Sequence, residues 1–179
     1  MDHEEICYRR YLNGEQDAFD EIMKTYRLGL IFFVNRFVRD VHTAEDIAID
    51  VFVELLTHPK RYNFKTTLKT YLFMLGRSRA LDHLRRRKFL SLYELPEDLT
   101  DETSLEELLL KSDRKKALNE ALRQLPRDMQ QAVHLVYFEE FSYQEAAAVM
   151  KKTAKQVDNL LYRAKASLRE TLGKEWKEL

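Results

Sequence analysis

The side chains of this chain that are spaced for chemistry are spaced for recognition rather than reaction. Between Phe141 and Arg163 the sequence reads FSYQEAAAVMKKTAKQVDNLLYR, and a helical period sets Lys155, Asp158, Asn159, Tyr162 and Arg163 on one face. Arginine, asparagine and glutamine are the types that pair bidentately with guanine and adenine edges. A second group, Arg61, Tyr62, Asn63, Phe64, Lys69, Tyr71, Arg77 and Arg79, mixes cations with rings. Cations neutralise phosphate and rings stack on unstacked bases, so this mixture suits a single strand. A third group, Asp46, Asp50 and Glu54, repeats an acid at i, i+4 and i+8 beside Ile49 and Val53. Like charges at that spacing repel and do not help the helix itself. An ordinary solvated face explains them; a surface for a basic helical partner is the functional alternative.

Reactive patterns are missing. There is no Gly-rich phosphate loop, no His-Glu-x-x-His and no G-x-S-x-G. His3, His42, His58, His83 and His134 have no metal-ligand spacing, and surface or helix-end positions account for them. Cys7 is the single cysteine, so no intrachain disulfide forms; a lone thiol in a fraying terminus reads as inert. No catalytic residue, metal or cofactor is expected.

Helices must position these groups. With 4 Gly and 3 Pro in 179 residues and long periodic runs of Leu, Ala, Glu, Lys and Arg, the composition is all-α. Charge is segregated: residues 1–90 carry 16 basic and 13 acidic side chains, residues 91–110 none and 7, residues 111–179 14 and 10. Two mildly basic helical domains, 1–90 and 111–179, are therefore expected on either side of an acidic linker, 91–110. No stretch has signal-peptide or membrane-spanning character, so a cytoplasmic protein without membrane insertion is expected.

Asp17 to Val38 keeps helical spacing through Phe19, Ile22, Tyr26, Leu30, Phe33, Val34 and Phe37. Thr43 is the expected N-cap of a helix from Ala44 to Leu56. His58-Pro59 stops it, a loop runs from Lys60 to Thr67, and a helix follows from Leu68 to Lys88 with Leu75 and Leu84 inward. Ser104 opens a helix to about Gln124, and Pro126 divides it from a helix Arg127 to Phe138 with Val136 and Tyr137 inward. Two capping boxes, Ser142 with Glu145 and Thr153 with Gln156, then open two helices joined at Lys151, where glycine would suit the bend better. Alanines 146 and 147 permit a close crossing, and Val157, Leu160, Leu161, Ala164 and Leu168 form the second helix's stripe. A helical hairpin closing a bundle fits this stretch; so does a helix-turn-helix that reads duplex DNA.

Five segments in order resemble a known family: GEQDAFDEIMKTYRLGLIFFVNRF, AEDIAIDVFVELL, TTLKTYLFMLGRSRALDHLRRRK, ALRQLPRDMQQAVHLVYFEEFSYQEAA and VDNLLYRAKASLR. Together they are similar to the extracytoplasmic-function (ECF) group of bacterial RNA polymerase sigma factors, over nearly all of Gly14 to Arg169. The resemblance implies sigma domains 2 and 4, core RNA polymerase and promoter DNA as partners, and an anti-sigma factor as a regulator. It implies that Asp46, Ile49, Asp50, Val53 and Glu54 meet core polymerase. Lys60, Arg61, Asn63, Lys65, Lys69, Tyr71, Arg77, Ser78 and Asp82 would handle the single-stranded −10 element. Lys155, Gln156, Asn159, Tyr162 and Arg163 would read the −35 duplex. The family often has Trp at Tyr71, Arg at Met74, Asn at Ser78, Gly-Thr at Lys155-Gln156 and Arg at Leu160, so a promoter sequence does not carry over. A dimeric helix-turn-helix repressor or activator explains only Phe141 to Arg163, and a protein-binding helical adaptor explains none of the DNA surfaces.

Overall fold

The computed structural model describes residues 3–90 and 113–173, and all regular structure among them is helical. The chain divides into two compact units, Met1–Thr100 and Asp101–Leu179. The acidic linker expected at 91–110, the Ser104 cap and the tail 174–179 lie outside the described residues.

In the first unit α1 spans His3–Leu12, α2 Gln16–Val38, α3 Val41–Thr57 and α4 Leu68–Leu90, with a 3₁₀ turn at Pro59–Arg61. Helix α2 is the hub; α1, α3 and α4 all pack on it. The periodic residues read from the sequence, Phe19, Ile22, Tyr26, Leu30, Phe33, Val34 and Phe37, are all buried. Each such side chain, moved out of water, contributes about 1.5–3 kcal/mol. Leu75 and Leu84, expected inward on α4, are only half-buried.

Two expectations for this unit are corrected. Asp40, not Thr43, is the N-cap of α3. Arg39 ends α2 in a left-handed conformation, φ 55°, and the chain re-enters a helix at once. The Asp40 carboxylate then accepts from the Thr43 amide at 2.9 Å and from the Thr43 hydroxyl. Those bonds hold its carboxyl below the usual range, the hydroxyl contributing most. Cys7, expected in a frayed segment, instead lies in the helix α1, and it is 3% exposed. Burial, then the nearby Glu21 charge, pushes the Cys7 thiol up, away from the reactive thiolate.

Gly76 lets α4 approach α2. A Cβ there would lie 2.8 Å from Leu30 Cδ1 and 3.3 Å from Val34 Cγ2. Gly76→Leu should therefore cost about 2 kcal/mol through overpacking. Thermal unfolding reads this directly, and an unchanged midpoint would show that the two helices do not depend on close approach at Gly76.

In the second unit α5 spans Asp113–Gln124, α6 Arg127–Val133, α7 Tyr143–Met150 and α8 Ala154–Leu172, with a π-helical turn at His134–Phe138 after α6. Pro126 separates α5 from α6 as expected and occupies the N-cap position of α6. Buried Gln130 donates to the Arg123 carbonyl at 2.8 Å and the Leu125 carbonyl at 2.7 Å, tying the end of α5 to α6. The π turn corrects the expected register. Its wider bonds rotate Tyr137 to 46% exposure and leave Val136 half-buried, while His134 turns inward. His134 is therefore not a surface histidine: it is 3% exposed, its ring stacks on Phe138, and its Nε2 lies 3.5 Å from Glu139.

Candidate nucleic-acid interface

The acidic row on α3 splits. Asp46, Ile49, Asp50 and Val53 are exposed on one face, and Ile49 and Val53 are each 46% exposed. Glu54 was expected with them, but its side chain is only 12% exposed. It accepts from Arg61 Nη1 at 2.6 Å and from Arg79 Nη2, while Arg79 Nη1 also lies 3.9 Å from Asp50. The Arg79 bond first, then the Arg61 bond, hold the Glu54 carboxyl below the usual range against the opposing effect of burial. The spacing rule placed Glu54 on the outer face; two arginines arriving from the following loop and from α4 enclose it there.

Those arginines belong to the cation-and-ring surface. Tyr62 is buried, and its hydroxyl donates to the Thr66 carbonyl at 2.8 Å. Its ring centroid is 4.6 Å from Phe64, 5.1 Å from Tyr71 and 5.4 Å from Tyr8. Phe64 sits at φ 60°, strained backbone for a bulky residue. Asn63 steadies the bend by accepting from the Lys65 amide at 3.1 Å. Thr67 Oγ1 accepts from the Thr70 amide at 3.2 Å and so caps α4. Lys60, Arg61, Asn63 and Lys65 are exposed on this loop; Lys69, Tyr71 and Arg77 are half-buried along α4, and Ser78 is exposed. Burial raises the Tyr71 hydroxyl above its ordinary pKa, so the ring is neutral. Asp82, also placed here by sequence, is ion-paired with Arg85.

Sequence reasoning missed the brace behind this loop. Helix α1 supplies it: the Tyr8 hydroxyl donates to the Pro59 carbonyl at 3.1 Å, and the Arg9 guanidinium lies 4.3 Å from the Phe64 ring centroid. Tyr8 and Tyr11 at i, i+3 were the available signal, but a ten-residue helix has too few turns for a clear period.

The hairpin α7–α8 forms as a helix-turn-helix. Both capping boxes close: the Ser142 amide donates to Glu145 Oε2 at 2.9 Å, and the Thr153 amide to Gln156 Oε1 at 2.8 Å. Lys151 adopts the left-handed conformation, φ 54°, that glycine would hold without strain, and Lys152 donates back to the Ala147 carbonyl at 2.9 Å. Ala146 and Ala147 are buried at the crossing, as are Val157, Leu161 and Ala164. Leu160 and Leu168, expected in that stripe, are only half-buried. Lys155, Gln156, Asn159 and Arg163 are exposed, and Tyr162 is 76% exposed. An open cleft on this face is lined by Lys152, Gln156, Asn159, Leu160 and Arg163. Lys152 forms its wall while paired with Asp128 at 2.9 Å.

These surfaces offer exposed hydrogen-bonding groups, rings and cations, the side-chain types that recognition of base edges, unstacked bases and phosphates would use. Among the described residues no cluster of His, Cys, Asp and Glu could hold a metal, and no helix is long and apolar enough to cross a membrane.

Known proteins match both units. Residues 22–90 match the family Sigma-70 region 2, and residues 115–168 match Sigma-70, region 4. The RNA polymerase sigma-H factor of Pseudomonas aeruginosa is 24% identical over 183 residues, covering 96% of this chain and 95% of that protein. The ECF RNA polymerase sigma factor SigM of Bacillus subtilis is 25% identical over 155 residues, covering 85% and 93%. In fold, the chain is similar to the sigma factor RpoE solved with the anti-sigma factor NepR from Bartonella quintana, with a TM-score of 0.70 at 21% identity over 89% of this chain and 98% of that one. It is also similar to CnrH solved with the cytosolic domain of CnrY, with a TM-score of 0.68 at 21% identity over 96% and 97%.

Proposed function

Because this chain belongs to the sigma-70 family, as an ECF sigma factor that directs promoter recognition in transcription initiation, we propose how its surfaces divide that work. The exposed α3 face, Asp46, Ile49, Asp50 and Val53, docks on a basic helical surface of core RNA polymerase. The loop Lys60 to Lys65 with Lys69, Tyr71, Arg77, Ser78 and Asp82 engages the unpaired −10 strand, with a base unstacked at a cost of a few kcal/mol. Helix α8 lies in the major groove of the −35 duplex through Lys155, Gln156, Asn159, Tyr162 and Arg163. The division of domains follows: 1–90 for polymerase and the −10 element, 111–179 for the −35 element.

The observation that carries this reading is the pairing, within the first unit, of an apolar-and-acid face on α3 with a cation-and-ring surface on the next loop and α4. A dimeric helix-turn-helix regulator has no use for either. The reading makes the chain a cytoplasmic recognition factor with no catalytic chemistry of its own. An anti-sigma factor is the class of partner that would hold it inactive, by analogy with the partner of RpoE.

Affinity capture tests it: the immobilised chain should retain sigma-free core polymerase without DNA, and a chain that retains promoter DNA but no polymerase would refute it. Within the complex, Arg163→Ala should weaken binding to the −35 duplex by about 1–3 kcal/mol. Competition titration at fixed salt measures this, and an unchanged affinity would remove Arg163 from the contact set.

A further inference from the structure

We propose that Gln156 and Leu160 together read a single thymine of the −35 duplex, an inference that rests on the role proposed for α8. The capping box fixes the chemistry of Gln156. The Thr153 amide donates to it at 2.8 Å, and an amide N–H needs an acceptor, so the carboxamide oxygen is turned toward the helix start. One lone pair of the oxygen is thereby taken, and the Nε2 hydrogens are available to a ligand. The adenine pair needs that same oxygen to face the base beside Nε2, so in this cap Gln156 serves as a donor.

Leu160 lies one turn further along α8. It is half-exposed and lines the cleft beside Gln156, Asn159 and Arg163. A hydrogen-bond donor next to an apolar side chain is the complement of one base edge in the major groove. Thymine presents the O4 acceptor and the C5 methyl side by side. Cytosine offers an amino donor in place of O4, adenine an N7 acceptor beside an amino donor with no methyl group, and guanine acceptors without a methyl group. Asn159 and Arg163 stay available for neighbouring base pairs, while Lys152 is held by Asp128.

The test uses the full chain bound to core polymerase and a −35 duplex selected by that complex from a randomised pool. Each thymine of the selected element is replaced singly by deoxyuridine, which keeps O4 and removes only the methyl. One position should lose about fourfold in affinity, the worth of one buried methyl, and Leu160→Ala should abolish that loss. Gln156→Glu keeps a capping oxygen and removes the donor. Its thermal midpoint should match wild type, while the preference for thymine over cytosine at the same position falls by about tenfold. Deoxyuridine that is silent at every position, or a penalty that persists in Leu160→Ala, overturns the pairing and leaves the −35 role standing. A pool that yields no −35 preference overturns both.

Discussion

Asp50→Arg should abolish retention of core RNA polymerase while leaving the fold intact. Asp50 is exposed on α3, and its nearest cation, Arg79, is 3.9 Å away and already bonded to Glu54. Reversal therefore removes little from the first unit's own stability, because exposed pairs contribute about 0–1 kcal/mol. At an interface with a basic partner the same change replaces attraction by repulsion inside a partly desolvated patch, a cost of several kcal/mol. Sedimentation or affinity capture with sigma-free core enzyme gives the answer, with far-ultraviolet circular dichroism as the folding control. Wild-type retention by Asp50→Arg would move the docking face elsewhere.

Glu54→Lys should have the opposite profile, with a loss of stability of about 4 kcal/mol. The replacement puts a third cation where one enclosed carboxylate now serves two guanidinium groups. Glu54→Gln, which keeps the shape, should cost about 2 kcal/mol near neutral pH. The pH dependence has a definite sign. The folded-state carboxyl is held below its usual value, so its stabilisation is present above the ordinary carboxylate range and fades as pH falls through the lowered folded-state value. The difference between wild type and Glu54→Gln should shrink in acid. Denaturant unfolding at neutral and acidic pH measures it, and equal stabilities at neutral pH would show that the ion cluster contributes nothing. Glu54 holds Arg61 by the same bond, so on the role proposed for this loop Glu54 would also position a group facing the −10 strand.

Local rules carried the sequence reading where a few neighbouring residues decide the structure. Both capping boxes and the long stripe of α2 follow from short-range hydrogen bonding and a strong period. The reading failed where distant partners decide. Nothing near Glu54 in the sequence shows that Arg79, on another helix, will enclose it. Nothing in the period of α6 reveals the π turn that turns Tyr137 out and His134 in, since an extra residue per turn leaves the hydrophobic count unchanged. Thr43 and Asp40 are both good caps, and the left-handed Arg39 chose between them. Gln156 was legible as a capping residue; only the geometry shows that the cap engages its oxygen and leaves Nε2 on the exposed face.

Start-site selection by sigma-free core polymerase is the most direct measurement, run as transcription in vitro on a pool of templates with randomised promoters. With the purified chain added, transcripts should begin at a restricted set of sites that share two spaced sequence elements. Initiation as scattered as that of core enzyme alone would contradict the account.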